Sequence, residues 1–356
     1  MTETTKHPKG RSTRGALCGL GAAALFGLSA PLAKVLLGSI SPVLLAGLLY
    51  LGAAAGLWLL RLLRAPTHEA LLRRSDVPNL IGVVLAGGVV APVLMLFGLA
   101  RVTALSGSLL LNLEAPLTVL LAVVLFREHL GRYAAGAAVC ILSGAAVLKL
   151  EPGAQGADTA GVLLLAGACL LWAIDNNLTQ RLSLRDPFAV VRIKTLVAGA
   201  VNTALGLWLS GGEIPDPGYL WGALALGSVS YGASVVLDAY ALRFVGAARE
   251  AAYFATAPFM GALISVALFH TPLRWFDVMA MAAMALGVAL LLKERHGHLH
   301  AHQHSDHEHL HTHDEHHQHA HAPTDPAGEP HSHAHHHDPI VHDHPHAPDA
   351  HHRHRH

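Results

Sequence analysis

One carboxyl interrupts an apolar run of 24 residues, Thr103 to Phe126. It is Glu114, with Asn112 two residues before it and Pro116 two residues after. A carboxyl near the middle of a bilayer costs roughly 2.5–3.5 kcal/mol on insertion scales, so an intramembrane acid is read as functional by default. Two chemistries suit it: a protonatable group that couples proton movement to a substrate, or a counter-ion for a cationic solute. The structural alternative is a neutral carboxyl hydrogen-bonded to a neighbouring helix. Asn112 falls on a different helix face and reads as an interhelical hydrogen bond.

A second polar group is spread along the chain. Asp175, Asn176 and Asn177 follow Trp172 in one apolar run, Arg192 and Lys194 interrupt the next, and Asp238 the one after. These could meet toward one side of the membrane, as a polar vestibule for a charged or zwitterionic substrate. They could equally form a structural network, with Asp175 or Asp238 paired to Arg192 or Lys194 and the long cations snorkelling. Pro31, Pro42, Pro92, Pro116 and Pro258 would bend or break helices and free carbonyls to line a cavity. Lys34 and the Arg249–Glu250 pair read as interfacial. Cys18, Cys140 and Cys169 lack CxxC spacing and read as reduced thiols packed as small hydrophobes.

The third feature is the C-terminal tail. Residues 296–356 hold 25 of the 29 histidines, spaced mainly as His-x-His with acids between them. His298, His300, His302, His304, His307, His309, His311, His313, His335, His336 and His337 are candidate metal ligands. Neutral imidazole suits Zn, Ni, Co and Cu, and interchangeable ligands on one chain form several weak sites. No fixed Cys/His spacing singles out a structural zinc site. With few large apolar residues the tail cannot bury a core, and its composition predicts disorder.

These residues are carried by membrane helices. Hydrophobic residues make up 52% and charged ones 13% of the chain, against about 25% charge in soluble domains. Mean hydropathy is +0.41 with the polar tail included. Ten apolar runs are expected to cross: 15–37, 41–63, 80–99, 103–126, 133–148, 160–182, 187–209, 219–242, 247–268 and 275–292. A shift of 142 residues carries Arg101 onto Arg243, Pro116 onto Pro258 and Arg132 onto Arg274, which marks an internal repeat. The divisions are a short N-terminal segment (1–14), a first five-helix unit (15–150), a linker (151–159), a second unit (160–293) and the tail (294–356).

An odd number of spans per unit makes the second enter the membrane upside down. With the N-terminus inside, sixteen Lys and Arg flank the inner face and four (Lys34, Arg101, Lys149, Arg274) the outer face. That bias fits the positive-inside rule. The fold expected is an all-α polytopic membrane protein of ten transmembrane helices in two inverted five-helix repeats, with a disordered His-rich tail. Inverted repeats place a substrate site near mid-membrane. Gly15 with Gly19, and Gly52 with Gly56, permit close helix packing; a homodimer face is one use of such pairs.

The pattern around Pro116, closed by Glu128 and followed by another small-residue helix, resembles the EamA half of the drug/metabolite transporter superfamily. The resemblance covers roughly residues 13 to 293. In the second copy His270 stands where the family usually has glutamate. The resemblance implies a secondary carrier in a bacterial-type inner membrane, both termini cytoplasmic, exporting amino acids, metabolites or drug-like molecules. It implies that helices one to four of each half line the pathway and that the fifth lies at the periphery or in a dimer contact. The lipid bilayer and a small-molecule substrate or metal ion are the expected partners. Nucleic acid, enzymatic activity and a required cofactor are not expected. No Walker A motif is present to suggest ATP-driven transport. A Ni, Co or Zn exporter, or a carrier regulated by metal on the tail, is the alternative.

Overall fold

The computed structural model describes residues 9–62, 71–126, 131–150, 158–182, 185–245, 247–293, 296–302, 305–311, 331–337 and 340–346. Among the described residues ten apolar helices follow one another, and nine have the length and composition to cross a membrane. These are α1 (Thr13–Leu36), α2 (Pro42–Leu62), α3 (Arg74–Arg101), α4 (Ala104–Val124), α5 (Arg132–Lys149), α6 (Thr159–Gln180), α7 (Pro187–Leu209), α8 (Pro217–Asp238) and α9 (Glu250–Phe269). The tenth, α10 (Trp275–Leu291), is a shorter apolar helix of 17 residues.

Packing repeats between the halves. Helix α1 packs on α8 and α9, and α6 packs on α3 and α4; α2 packs on α8, and α7 on α3. Three pairs, α2 with α7, α4 with α9 and α5 with α10, join equivalent helices. Exchange of the halves leaves this scheme unchanged. The equivalent helices run in opposite senses. Gly47 faces Thr203 and Gly206 faces Leu44, so α7 descends as α2 rises. Gly144 meets Ala280 and Met284, while Gly287 meets Ile141 and Ala137. Helices from the two halves that share a direction, such as α2 and α8, also touch through glycine: Gly52 against Leu224 and Gly227 against Leu49. No side chain fits at these crossings, which is the use of small residues where lipid supplies no hydrophobic drive.

Helix irregularities also recur. The third helix of each half widens to π geometry, at Val84–Val90 and Ser228–Ala233. The fourth breaks just before its proline, at Leu111–Leu113 ahead of Pro116 and at Ala255 and Thr256 ahead of Pro258. Helix α1 turns at Leu28, three residues before Pro31, whereas its counterpart α6 is continuous. A missing proline N–H leaves the carbonyl four residues back without its helical partner.

Trp208, Trp221 and Trp275 stand exposed near one set of helix ends, and Trp58 near the other. Tryptophan at both ends marks the two membrane interfaces. In the tail, where composition predicts disorder, the described residues run as two antiparallel ribbons. Strand β1 (His296–His302) pairs with β4 (Ile340–His346), and β2 (Ser305–His311) with β3 (His331–His337). His-x-His has the period of two that a strand has. The register sets His298 opposite His344, His300 opposite His342, His307 opposite His335 and His309 opposite His333.

Candidate functional site

Glu114 opens the lower part of α4, directly after the helix break. Its Oε1 accepts a hydrogen bond from Asn176 Nδ2 of α6 at 2.8 Å. The same amide lies 3.4 Å from Thr118 Oγ1, which donates to the Glu114 carbonyl at 2.9 Å. Asn177 holds the other side of this seam: its Nδ2 reaches the Thr118 carbonyl at 3.3 Å and the Ala173 carbonyl at 2.8 Å. Two adjacent amides of α6 thus fasten one turn of α4. Asn176 remains exposed and Glu114 half-buried, so the carboxyl borders open space. The bond to Asn176 turns the carboxyl toward α6, the helix that also carries Asp175.

Beside it, Lys194 Nζ donates to Asp175 Oδ2, and the side chains are 17% and 6% exposed. Thr179 Oγ1 donates to the other carboxylate oxygen at 3.4 Å. Asp175 reaches this position because α3 carries Gly87 there; a Cβ on that residue would occupy the carboxylate's place. The π stretch of α3 supplies the adjoining wall. The Gly87 carbonyl accepts from Tyr50 OH at 2.9 Å and from Trp172 Nε1 at 3.1 Å. Pro92 removes the helical donor for the Gly88 carbonyl, and Asn202 Nδ2 reaches that carbonyl at 3.5 Å and the Val89 carbonyl at 3.1 Å. Asn202 is fully buried, and its Oδ1 has no partner among the described residues. Tyr231 of α8 and Phe26 of α1 continue the aromatic lining, with ring centroids 5.9 Å from Tyr50 and 5.7 Å apart respectively.

The other residues expected at the site lie elsewhere. Asn112 is buried away from the acid: its Nδ2 donates to Leu109 O at 3.0 Å and lies 3.9 Å from Met284 Sδ of α10. The 3₁₀ turn before Glu114 directs it there. Arg192 does not join the Asp175–Lys194 pair; it sits two residues from Lys194, on another face, over the Trp58 ring. Asp238 meets Glu250 across α8 and α9. Lys34 is not simply interfacial: its Nζ caps the end of α3, donating to the carbonyls of Leu99, Ala100 and Val102 at 2.6, 3.1 and 2.8 Å. Glu128, His304 and His313 lie outside the described residues. All three cysteines are free thiols, and only Cys169 is buried.

The EamA-like transporter family matches residues 13–150 and 159–293. The chain belongs to that family. An uncharacterized transporter of Methanothermobacter thermautotrophicus is 31% identical over 271 residues, covering 71% of this chain and 78% of the relative. A solved crystal structure of a protein superposes with a TM-score of 0.56 at 20% identity, over 78% of this chain and 96% of the other, which supports the fold. The chain is thus a membrane-embedded EamA-family transporter and not an enzyme.

Within this EamA transporter, sequence reasoning missed Tyr50, Gly87, Asn202 and Tyr231 as parts of the site. Pro92 in an apolar run flagged a freed carbonyl. Nothing flagged which polar side chain would come to meet it, because Asn202 lies 114 residues away in sequence.

Proposed function

We propose that this transporter is a secondary carrier exporting a small metabolite, amino acid or drug-like solute by alternating access, with proton coupling through Glu114. The observation that carries the reading is the hydrogen bond between Glu114 and Asn176, on helices of opposite halves, at an open position beside the Asp175–Lys194 pair. Protonation of Glu114 removes the charged acceptor that Asn176 holds, so proton binding acts on the contact between α4 and α6. The aromatic wall of Trp172, Tyr50 and Tyr231 suits an amphiphilic solute. Charge placement supports cytoplasmic termini in a bacterial-type inner membrane. In liposomes, Glu114→Gln is expected to abolish flux driven by a pH gradient while exchange of solute continues. Retained coupling in that variant rules the reading out.

A metal ion is the weaker candidate for the cargo. Among the described residues no three His, Cys, Asp or Glu side chains converge as a metal would require. The tail is a separate module in this proposal. Opposed histidine positions in its two ribbons support capture of Zn, Ni, Co or Cu, for delivery, buffering or sensing.

A further inference from the structure

Positive charge is concentrated at one end of the packed pair α2 and α7. Arg61 lies one turn beyond Trp58 on α2, with its guanidinium carbon 5.6 Å from the indole centroid. Arg192 reaches the same ring from α7, at 5.9 Å. One indole thus receives two cations that repel each other; Asp186 is the acid acting on Arg192 among the described residues. Cation–π contact offsets part of that repulsion. The guanidiniums keep most of their donors. Arg192 spends Nε on the Phe188 carbonyl at 3.3 Å. Arg61 is exposed and makes no hydrogen bond to a described residue.

The surroundings are those of a lipid-facing surface. Trp58, Leu59 and Leu62 emerge at the end of α2, and Leu196 lies one turn beyond Arg192 on α7; all four are exposed. The other exposed tryptophans stand at the opposite helix ends. We infer that Arg61, Trp58 and Arg192 form a binding site for the head group of an anionic phospholipid. Phosphodiester oxygens take the unspent N–H donors of both arginines, in the bidentate geometry guanidinium favours. An acyl chain lies along Leu59, Leu62 and Leu196. The bound anion removes the repulsion between the two cations and bridges α2 to α7. By charge placement the leaflet is the cytoplasmic one, where basic pockets between helices take such head groups.

The test uses the full chain purified in a neutral detergent and titrated with dioleoyl phosphatidylglycerol or dioleoyl phosphatidylcholine. Native mass spectrometry counts retained lipid, and the melting midpoint reports stabilisation. Phosphatidylglycerol is expected to bind and raise the midpoint, and phosphatidylcholine to do neither. R61Q/R192Q should weaken phosphatidylglycerol binding by about thirtyfold. R14Q/K293Q removes the same charge from the ends of α1 and α10, on the same side by charge placement, and should leave binding unchanged. Arg61→Gln alone, at an exposed position, covers the case in which the double variant fails to fold, with a loss of about fivefold. Three results overturn the inference: unchanged binding in the Arg61 variants, equal loss in R14Q/K293Q, or inorganic phosphate raising the midpoint as far as phosphatidylglycerol does.

Discussion

Asp175 and Lys194 are each nearly out of water, and each neutralises the other. Removing one partner strands a charge, at a cost of about 3–5 kcal/mol, whereas removing both leaves nothing stranded. Asp175→Asn and Lys194→Met are therefore each expected to lower unfolding stability by about that amount, and the double variant to recover most of it. Reversible unfolding in mixed micelles measures the difference. If the double variant is as unstable as the worse single, the pair is not coupled. Asp158, which caps α6 outside the membrane, behaves differently. Desolvation raises its pKa, but the Arg101 guanidinium and the Gly161 and Ala160 amides together outweigh that and hold it below the usual carboxylate value. A depressed pKa contributes stability that is present above the unfolded value, about 4, and lost as pH falls through the folded one. Asp158→Asn should thus melt below the wild type at neutral pH and converge with it in strong acid.

At the scale of helices, glycine decides how near two axes come. A Cβ at Gly227 would run into the Leu49 carbonyl, whereas one at Gly218 meets nothing within 4 Å. Gly227→Ala should cost about 1–3 kcal/mol, and Gly218→Ala should be nearly neutral. Lys34→Met removes the donor to three carbonyls and should free the upper end of α1. Faster hydrogen exchange at residues 34–37 would report it; unchanged exchange would mean the cap does not hold that end. The helices themselves were legible from apolar run length, and the breaks before Pro116 and Pro258 from the repeat. The π stretch of α3 was half legible through Pro92. That of α8 was not, because no proline follows it. The grouping of charges was the least legible. Arg192 and Lys194 are two residues apart, yet a helical turn sends one to Trp58 and the other to Asp175.

For the molecule as a whole, membrane unit and tail make separable predictions. Deletion of residues 296–356 should leave solute flux in liposomes intact and abolish Zn or Ni retention. In the full chain that retention should weaken as pH falls through about 6.5, the range where imidazole takes up a proton. Loss of flux on deletion would make the tail part of the transport path.

The pairing of equivalent helices in opposite senses reaches further. Exchange of the halves maps α2 onto α7 and α5 onto α10, so the backbone treats its two faces nearly alike. The turn of α1 at Leu28, absent from α6, and a few side chains break the tie: Asp175 has Ser29 as its counterpart, Trp172 has Phe26, and Glu114 has no acid opposite. A device whose frame is balanced and whose load sits on one arm takes its resting orientation from that load. The bias toward one side of the membrane would then reside in a few residues, and moving them across the pseudo-axis would turn the machine around.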